Sequence, residues 1–399
     1  MSGRMEKVLR LMAERHASDV YLSASMPILI KINGDILQLS DQVLTPNQPR
    51  QLLSEVLTPL QIEELDDTGE LNVAVSIERV GVFRLSAFRQ RGSIAGVFRF
   101  VPNKIPSLAS LHVPEHLGSI VQAKRGLLLM VGATGSGKST TLAAMLEARN
   151  QAITGHILTI EDPIEFLFQN KKSIVNQREI GRDTESLQIA LRNALRQAPD
   201  CIMIGEIRDR ETMSAVLSYA LSGHLVLATM HANNSYHALS RILSFYPLEA
   251  RPLLLSDLAA GLKAIVSQRL LRRAKTSEGR VPAVEVLYNT NLIAELLEKG
   301  DLPGVKDALE RSLGEGSQTF EEDLARMVVE GTVTREEALA NADSATNLIW
   351  RLENEMATAA REPAKKEEGE NVTYTDFVID IVPDSPASAR QTSFPPITH

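Results

Sequence analysis

Eight consecutive residues, Gly132-Ala133-Thr134-Gly135-Ser136-Gly137-Lys138-Ser139, fit the pattern G-x-x-x-x-G-K-[ST] at every position. Glycines let a backbone curl until successive N–H groups point at one anion, and a helix start adds about half a positive charge there. In such a loop Lys138 reaches the outer phosphates of a nucleotide, the Ser139 hydroxyl is placed to ligate Mg²⁺, and Thr140 follows in the first turn. A glycine-rich turn with a purely structural role needs no Lys-Ser pair at its end.

Three later segments carry further chemistry. Asp200-Cys201-Ile202-Met203-Ile204-Gly205-Glu206 reads as an apolar strand closed by a carboxylate, positioned beside the P-loop strand to hold Mg²⁺ or its waters. Strands commonly end in Asp or Glu, so this segment alone leaves both readings open. Ile160-Glu161-Asp162-Pro163-Ile164-Glu165-Phe166 packs three mutually repelling carboxylates around a proline directly after an apolar run. An acidic loop at the strand-end side of a sheet is where a base for an attacking water belongs. Gly223-His224-Leu225-Val226-Leu227-Ala228-Thr229-Met230-His231-Ala232-Asn233-Asn234 ends a strand on His231, which taken by itself is a satisfied structural histidine.

These residues need a scaffold. From 127 onward short apolar runs alternate with amphipathic stretches: strands at 127–131, 156–160, 201–204 and 224–230, helices from Lys138, over 185–197 and over 212–221. That alternation predicts an α/β domain with a mostly parallel sheet covered on both faces. Helical patterning dominates from Pro252 to about Leu352. Upstream, a helix over the first fifteen residues is followed by a strand at 28–32, closed by the hairpin signal Asn33-Gly34. A helix from Thr45-Pro46 through Leu57 and strands at 71–77, 82–88 and 94–101 complete a small α+β domain. Pro102, Pro106 and Pro114 mark a linker over 102–114. After about residue 353 an Ala-, Glu-, Lys-, Ser- and Pro-rich stretch reads as a disordered tail, with one apolar island, Phe377-Val378-Ile379-Asp380-Ile381-Val382, able to add a strand to a partner.

Composition narrows the function. A formal net charge of −8 gives no general attraction to nucleic-acid phosphates. The single cysteine, Cys201, builds neither an intrachain disulfide nor a cysteine zinc site. No stretch approaches the ~18 apolar residues of a spanning helix, and no signal peptide opens the chain.

In this order, the four segments resemble the Walker A motif, Asp box, Walker B motif and His box of the secretion-superfamily ATPases, in their PilT/PilU branch of type IV pilus retraction motors. The likeness runs from the N-terminus to about residue 352. It implies a RecA-like P-loop ATPase domain (115–352, its C-terminal part helical) preceded by a small PAS-like α+β domain (1–101), with the linker at 102–114 and the tail at 353–399. It implies ATP and Mg²⁺ as ligands: Gly132 to Thr140 cradle the phosphates, Ser139 and Glu206 support the metal, Glu165 activates water and His231 contacts the nucleotide region. Glu161 and His224 fall on Asp-box and His-box positions. Relatives close arginines of the N-terminal domain over the γ-phosphate, and Phe83-Arg84-Leu85-Ser86-Ala87-Phe88 and Val97-Phe98-Arg99 match those segments, which marks Arg84 and Arg99. The resemblance further implies a homo-hexamer on the cytoplasmic face of the inner membrane, acting on a PilC-like platform protein. No tetracysteine insertion is present, which favours the retraction branch. Gln177-Arg178-Glu179-Ile180-Gly181-Arg182-Asp183-Thr184-Glu185-Ser186 and Ala338-Leu339-Ala340-Asn341-Ala342-Asp343-Ser344-Ala345 look PilU-like, and Thr290-Asn291-Leu292-Ile293-Ala294-Glu295-Leu296-Leu297 stands where PilT proteins carry AIRNLIRE. That departure points to action with a PilT-like partner. A low-turnover accessory ring and, less in keeping with the charge, a DNA translocase are the competing functions.

Overall fold

The computed structural model describes residues 3–15, 17–32, 35–78, 80–101, 105–274, 279–311 and 316–359. The hairpin signal at Asn33-Gly34, Pro102 at the start of the linker, and the tail from residue 360 with its island at 377–382 lie outside the described residues.

The first sheet is antiparallel: β1 (Asp19–Leu22), β2 (Leu29–Ile32), β3 (Asp35–Gln38), β4 (Glu70–Ile77), β5 (Gly81–Gln90) and β6 (Ser93–Val101), in the order β3-β2-β1-β6-β5-β4. Its core gathers Met5, Leu9 and Met12 from the helix Arg4–Glu14, Leu52 and Leu53 from Gln48–Ser54, and Leu85 and Phe98 from the sheet. The helix anticipated from Thr45-Pro46 begins at Gln48, with Pro49 in its first turn. It ends at Ser54, and a second helix, Pro59–Thr68, opens at Thr58, whose hydroxyl and Gln61 form a reciprocal capping box. β1, absent from the sequence reading, is four residues long and held between β2 and β6.

The second sheet holds the chemistry: β7 (Gly126–Val131), β8 (Gly155–Glu161), β9 (Ser173–Glu179), β10 (Cys201–Ile204), β11 (Leu225–Met230), β12 (Leu262–Arg272) and β13 (Arg280–Tyr288), ordered β13-β12-β7-β11-β10-β8-β9. All pairings are parallel except β12 with β13. β7 is buried throughout: Leu127, Leu129 and Val131 enter the core beneath the helices Arg210–Leu221 and Ser235–Ser244, while Leu128 and Met130 enter the core beneath Lys138–Ala152. Burying such side chains stabilises by roughly 1.5–3 kcal/mol each, which fixes the strand that launches the P-loop.

Around this sheet the structure departs from the sequence reading at several points. β11 lies between β7 and β10, so the strand leading to Glu206 is not the immediate neighbour of the P-loop strand. The helix read at 185–197 begins at Leu187, because Ser186 caps it through Ile189 N, and its last turn tightens to a 3₁₀ helix at Leu195–Gln197. The stretch after Pro252 is not helical throughout: β12 and β13 extend the sheet, and the helices that follow bury Phe320, Leu324 and Leu348 against Leu271, Val281 and Ala283. No helix among the described residues is long and apolar enough to cross a membrane.

Candidate active site

Parallel strands deliver their C-terminal ends to one edge. Gly132 follows β7, Glu161 ends β8, Glu206 lies two residues past β10 and His231 follows β11, all at that edge. A cavity of about 490 Å³ opens there, lined by Thr134, Gly135, Lys138, Ser139, Glu161, Glu165, Glu206 and His231. Four segments spread over a hundred residues of chain therefore meet at one place.

The loop has a tightly curled backbone. Gly135 and Gly137 take the left-handed backbone, φ 78° and 85°, and Gly137 is the N-cap of the helix Lys138–Ala152. At Gly132 (φ 155°) a Cβ would come within 2.5 Å of Ser136 Oγ and 2.6 Å of the Gln268 carbonyl, so no side chain fits. Ser136 Oγ is buried with no hydrogen-bond partner among the described residues, a cost that phosphate oxygens would relieve. Lys138 Nζ donates to Gly132 O and Ala133 O, 2.8 Å each, which holds the ammonium across the loop. Burial lowers its pKa, and the charges of Glu206 and Glu165 counteract that. Both carboxylates thus act on the same lysine from different strand ends.

The acidic loop is fastened residue by residue. Glu161 is buried and accepts from Thr159 Oγ1 at 2.7 Å, Gln177 Nε2 at 3.0 Å and the Glu165 N–H at 3.4 Å. Burial raises its pKa. Gln177, on β9, also donates to Phe166 O at 2.8 Å and accepts from Phe168 N at 2.9 Å. Glu179 Oε2 accepts from Ile164 N at 3.1 Å. Glu165, by contrast, is exposed at the cavity, where an acid can meet a water.

Glu206 has two neighbours on its carboxylate. Arg208 pairs with its Oε2 at 2.8 Å, and His231 Nε2 approaches Oε1 at 3.4 Å. Arg208 also comes within 4.0 Å of Asp162, spanning the acidic loop and the Glu206 turn. Thr229 hydrogen-bonds to Gly205 O, tying β11 to that turn.

The two arginines differ. Arg84 and Arg99 are cross-strand partners on β5 and β6. Arg84 is half-buried, with Nη2 unpartnered among the described residues; burial lowers its pKa, and Glu179, Glu165 and Glu161 raise it. It therefore lies in the field of the acidic loop. Arg99 is 66% exposed and gives its Nε to Asp19 Oδ1 at 2.9 Å. His224 is remote: it begins the segment that His231 ends, roughly 20 Å away along β11, with Nδ1 3.2 Å from Tyr219 O and 3.2 Å from Ser222 Oγ.

Comparison with known proteins agrees with this geometry. The family model for type II/IV secretion system proteins matches residues 6–340. The chain belongs to this family. It is 43% identical over 385 residues to the type IV pilus ATPase PilU of Pseudomonas aeruginosa, covering 96% of this chain and 99% of that protein. It is 36% identical over 336 residues to the type IV pilus retractation ATPase PilT of the same organism, covering 84% and 97%. A crystal structure of the pilus retraction motor PilT with bound ADP superposes with TM-score 0.79 at 37% identity, covering 86% of this chain and 99% of that one. The fold is accordingly that of a RecA-like secretion ATPase.

In this type II/IV secretion system protein a divalent cation would find few protein ligands. Among the described residues no group of three or more His, Cys, Asp or Glu side chains could hold a metal ion. The Ser139 hydroxyl and Glu206 at the cavity are a sparse donor set, suited to an ion that phosphate oxygens and water complete. Arg208, Gln177, Glu179 and Gln268 are site residues that the sequence reading did not single out. Arg208 stands two residues past Glu206 and was open to notice; the other three sit on strands not foreseen there.

Proposed function

We propose that this chain is a PilU-like, ATP-hydrolysing motor of type IV pilus retraction and twitching motility. The observation that carries the reading is the convergence of Glu165 and Glu206 on Lys138 in one cavity. In this reading residues 132–140 grip the triphosphate through backbone N–H groups and Lys138. Ser139 and Glu206 would hold Mg²⁺, which when bound offsets the charge of the phosphate oxygens. Glu165 takes the proton of the attacking water, and His231 reports on the phosphates through its contact with Glu206. Arg84 closes on the γ-phosphate from β5, with Arg99 beside it once released from Asp19.

The segments 1–101 and 115–352 act as the two moving domains, joined by 102–114, with 353–399 as an appended tail. The working form is a homo-hexamer at the cytoplasmic face of the inner membrane, engaging a PilC-like platform protein and a PilT-like ATPase. Strains lacking the gene and strains carrying Glu165→Ala, scored for retraction and twitching, test this function. A motor predicts loss in both. Normal retraction in Glu165→Ala cells, with loss in the deletion, would make the protein an accessory ring. Salt-sensitive DNA binding with DNA-stimulated hydrolysis would make it a translocase.

A further inference from the structure

β12 runs parallel to β7, with Ile265 opposite Leu129, Val266 opposite Met130 and Ser267 opposite Val131. The next residue on each strand is Gln268 and Gly132, so Gln268 arrives where β7 turns into the P-loop. Its side chain is 2% exposed. Nε2 donates to Ser136 O at 2.7 Å, and Oε1 accepts from Thr141 Oγ1 at 2.8 Å. The orientation of the amide is set by its partners. A carbonyl only accepts, so the nitrogen faces Ser136, and the Thr141 hydroxyl donates to the oxygen.

The bridge therefore spans the loop's last turn and the first turn of the helix Lys138–Ala152, across the left-handed Gly137. The same residue crowds two of the loop's glycines. A Cβ at Gly137 would lie 2.7 Å from Gln268 Nε2, and one at Gly132 would lie 2.6 Å from Gln268 O. Gln268 thereby ties Ser136 O, in the loop's last turn, to the sheet. The adjacent Arg269 is itself tied down: it pairs with Asp343, donates to Asn341 O and lies over the Phe320 ring at 4.0 Å.

We propose that Gln268 is a positioning residue that holds the phosphate-binding loop in its nucleotide-gripping curvature without touching the nucleotide. This rests on the nucleotide-site reading above. The test compares full-length wild type with Gln268→Met, which keeps the side chain's length and removes both hydrogen bonds, and with Thr141→Val and Lys138→Ala. Steady-state hydrolysis and calorimetric binding of ATP are measured on each. Gln268→Met is expected to raise KM and Kd for ATP about tenfold, the size of one or two hydrogen bonds, with kcat within about threefold of wild type. Unchanged KM and Kd, or a fall in active fraction alone, would overturn the proposal, since a purely structural residue lowers the amount of enzyme and not its affinity. Should Gln268→Met fail to fold, Thr141→Val decides: a rise in KM of about threefold supports the role and a wild-type KM overturns it. Wild-type ATP binding by Lys138→Ala would instead bring down the nucleotide-site reading itself.

Discussion

Arg208 holds Glu206 in an ion pair at 2.8 Å while His231 approaches the same carboxylate from the other side at 3.4 Å. The carboxylate that acts most strongly on Lys138 is thus ion-paired with Arg208. Arg208 is 64% exposed, so the pair is screened and its worth lies within about 1 kcal/mol.

Removing that cation leaves more negative charge for a metal to meet. In Arg208→Ala the Mg²⁺ concentration giving half-maximal hydrolysis is expected to fall by up to about fivefold. Titrating Mg²⁺ at saturating ATP measures it, and a half-saturation at or above the wild-type value would count against Glu206 as the metal-side carboxylate.

Arg84 and Arg99 separate in the same assay. Arg84 Nη2, unpartnered among the described residues, lies in the field of Glu179, Glu165 and Glu161, whereas Arg99 is bound to Asp19. Arg84→Ala is expected to lower kcat by ~10³-fold, as loss of an arginine that meets transition-state charge does. Arg99→Ala is expected to cost at least tenfold less than that. Equal losses would show that Arg99 abandons Asp19 during turnover.

Gln177 pins the loop carrying Glu165 through Glu161, Phe166 O and Phe168 N. Gln177→Leu leaves those three groups to find other partners and loosens the loop without altering the P-loop. The expected outcome is a fall in kcat of about ten- to a hundredfold with KM for ATP nearly unchanged. A raised KM with intact kcat would place Gln177 in binding instead.

Glu285 supplies a pH test of stability. It is buried, and its Oε1 accepts from Ser235 N at 2.7 Å and Ser267 Oγ at 2.8 Å. Burial raises its pKa above the ordinary 4.5. The folded state then binds this proton more tightly than the unfolded chain, so the group's stabilisation is complete below pH 4.5 and is lost as pH rises through the raised value. Glu285→Gln keeps an oxygen for both donors and removes the proton. Its Tm is expected to fall less than that of wild type as pH rises above 4.5, and parallel Tm curves would contradict the assignment.

The P-loop, its strand and its helix are legible in the sequence because glycine spacing, Lys138 and the apolar run before them all agree. So are the two later strand-end acids, whose carboxylates stand at the close of apolar runs. β12 is hidden: Leu262–Arg272 is rich in Leu, Lys, Ala, Gln and Arg, good helix formers, and follows the helix Arg251–Gly261 without a break. Pairing with β7 on one side and β13 on the other overrides that propensity. Gln268 could not be found without the strand. β9 is hidden for a similar reason, since Ser-Ile-Val-Asn-Gln-Arg-Glu has only two apolar residues and takes its conformation from β8. The placement of β11 between β7 and β10 is a matter of crossover order, which residue patterns do not encode. His231, read as the residue that ends the strand, does follow β11 at the cavity edge, while His224 precedes β11.

The account turns on Glu165 acting on water while Lys138 holds phosphate. ATP binding and Mg²⁺-dependent hydrolysis by purified Glu165→Gln test that division together. The account predicts wild-type affinity for ATP with turnover reduced at least about a hundredfold. Turnover at the wild-type rate would contradict it.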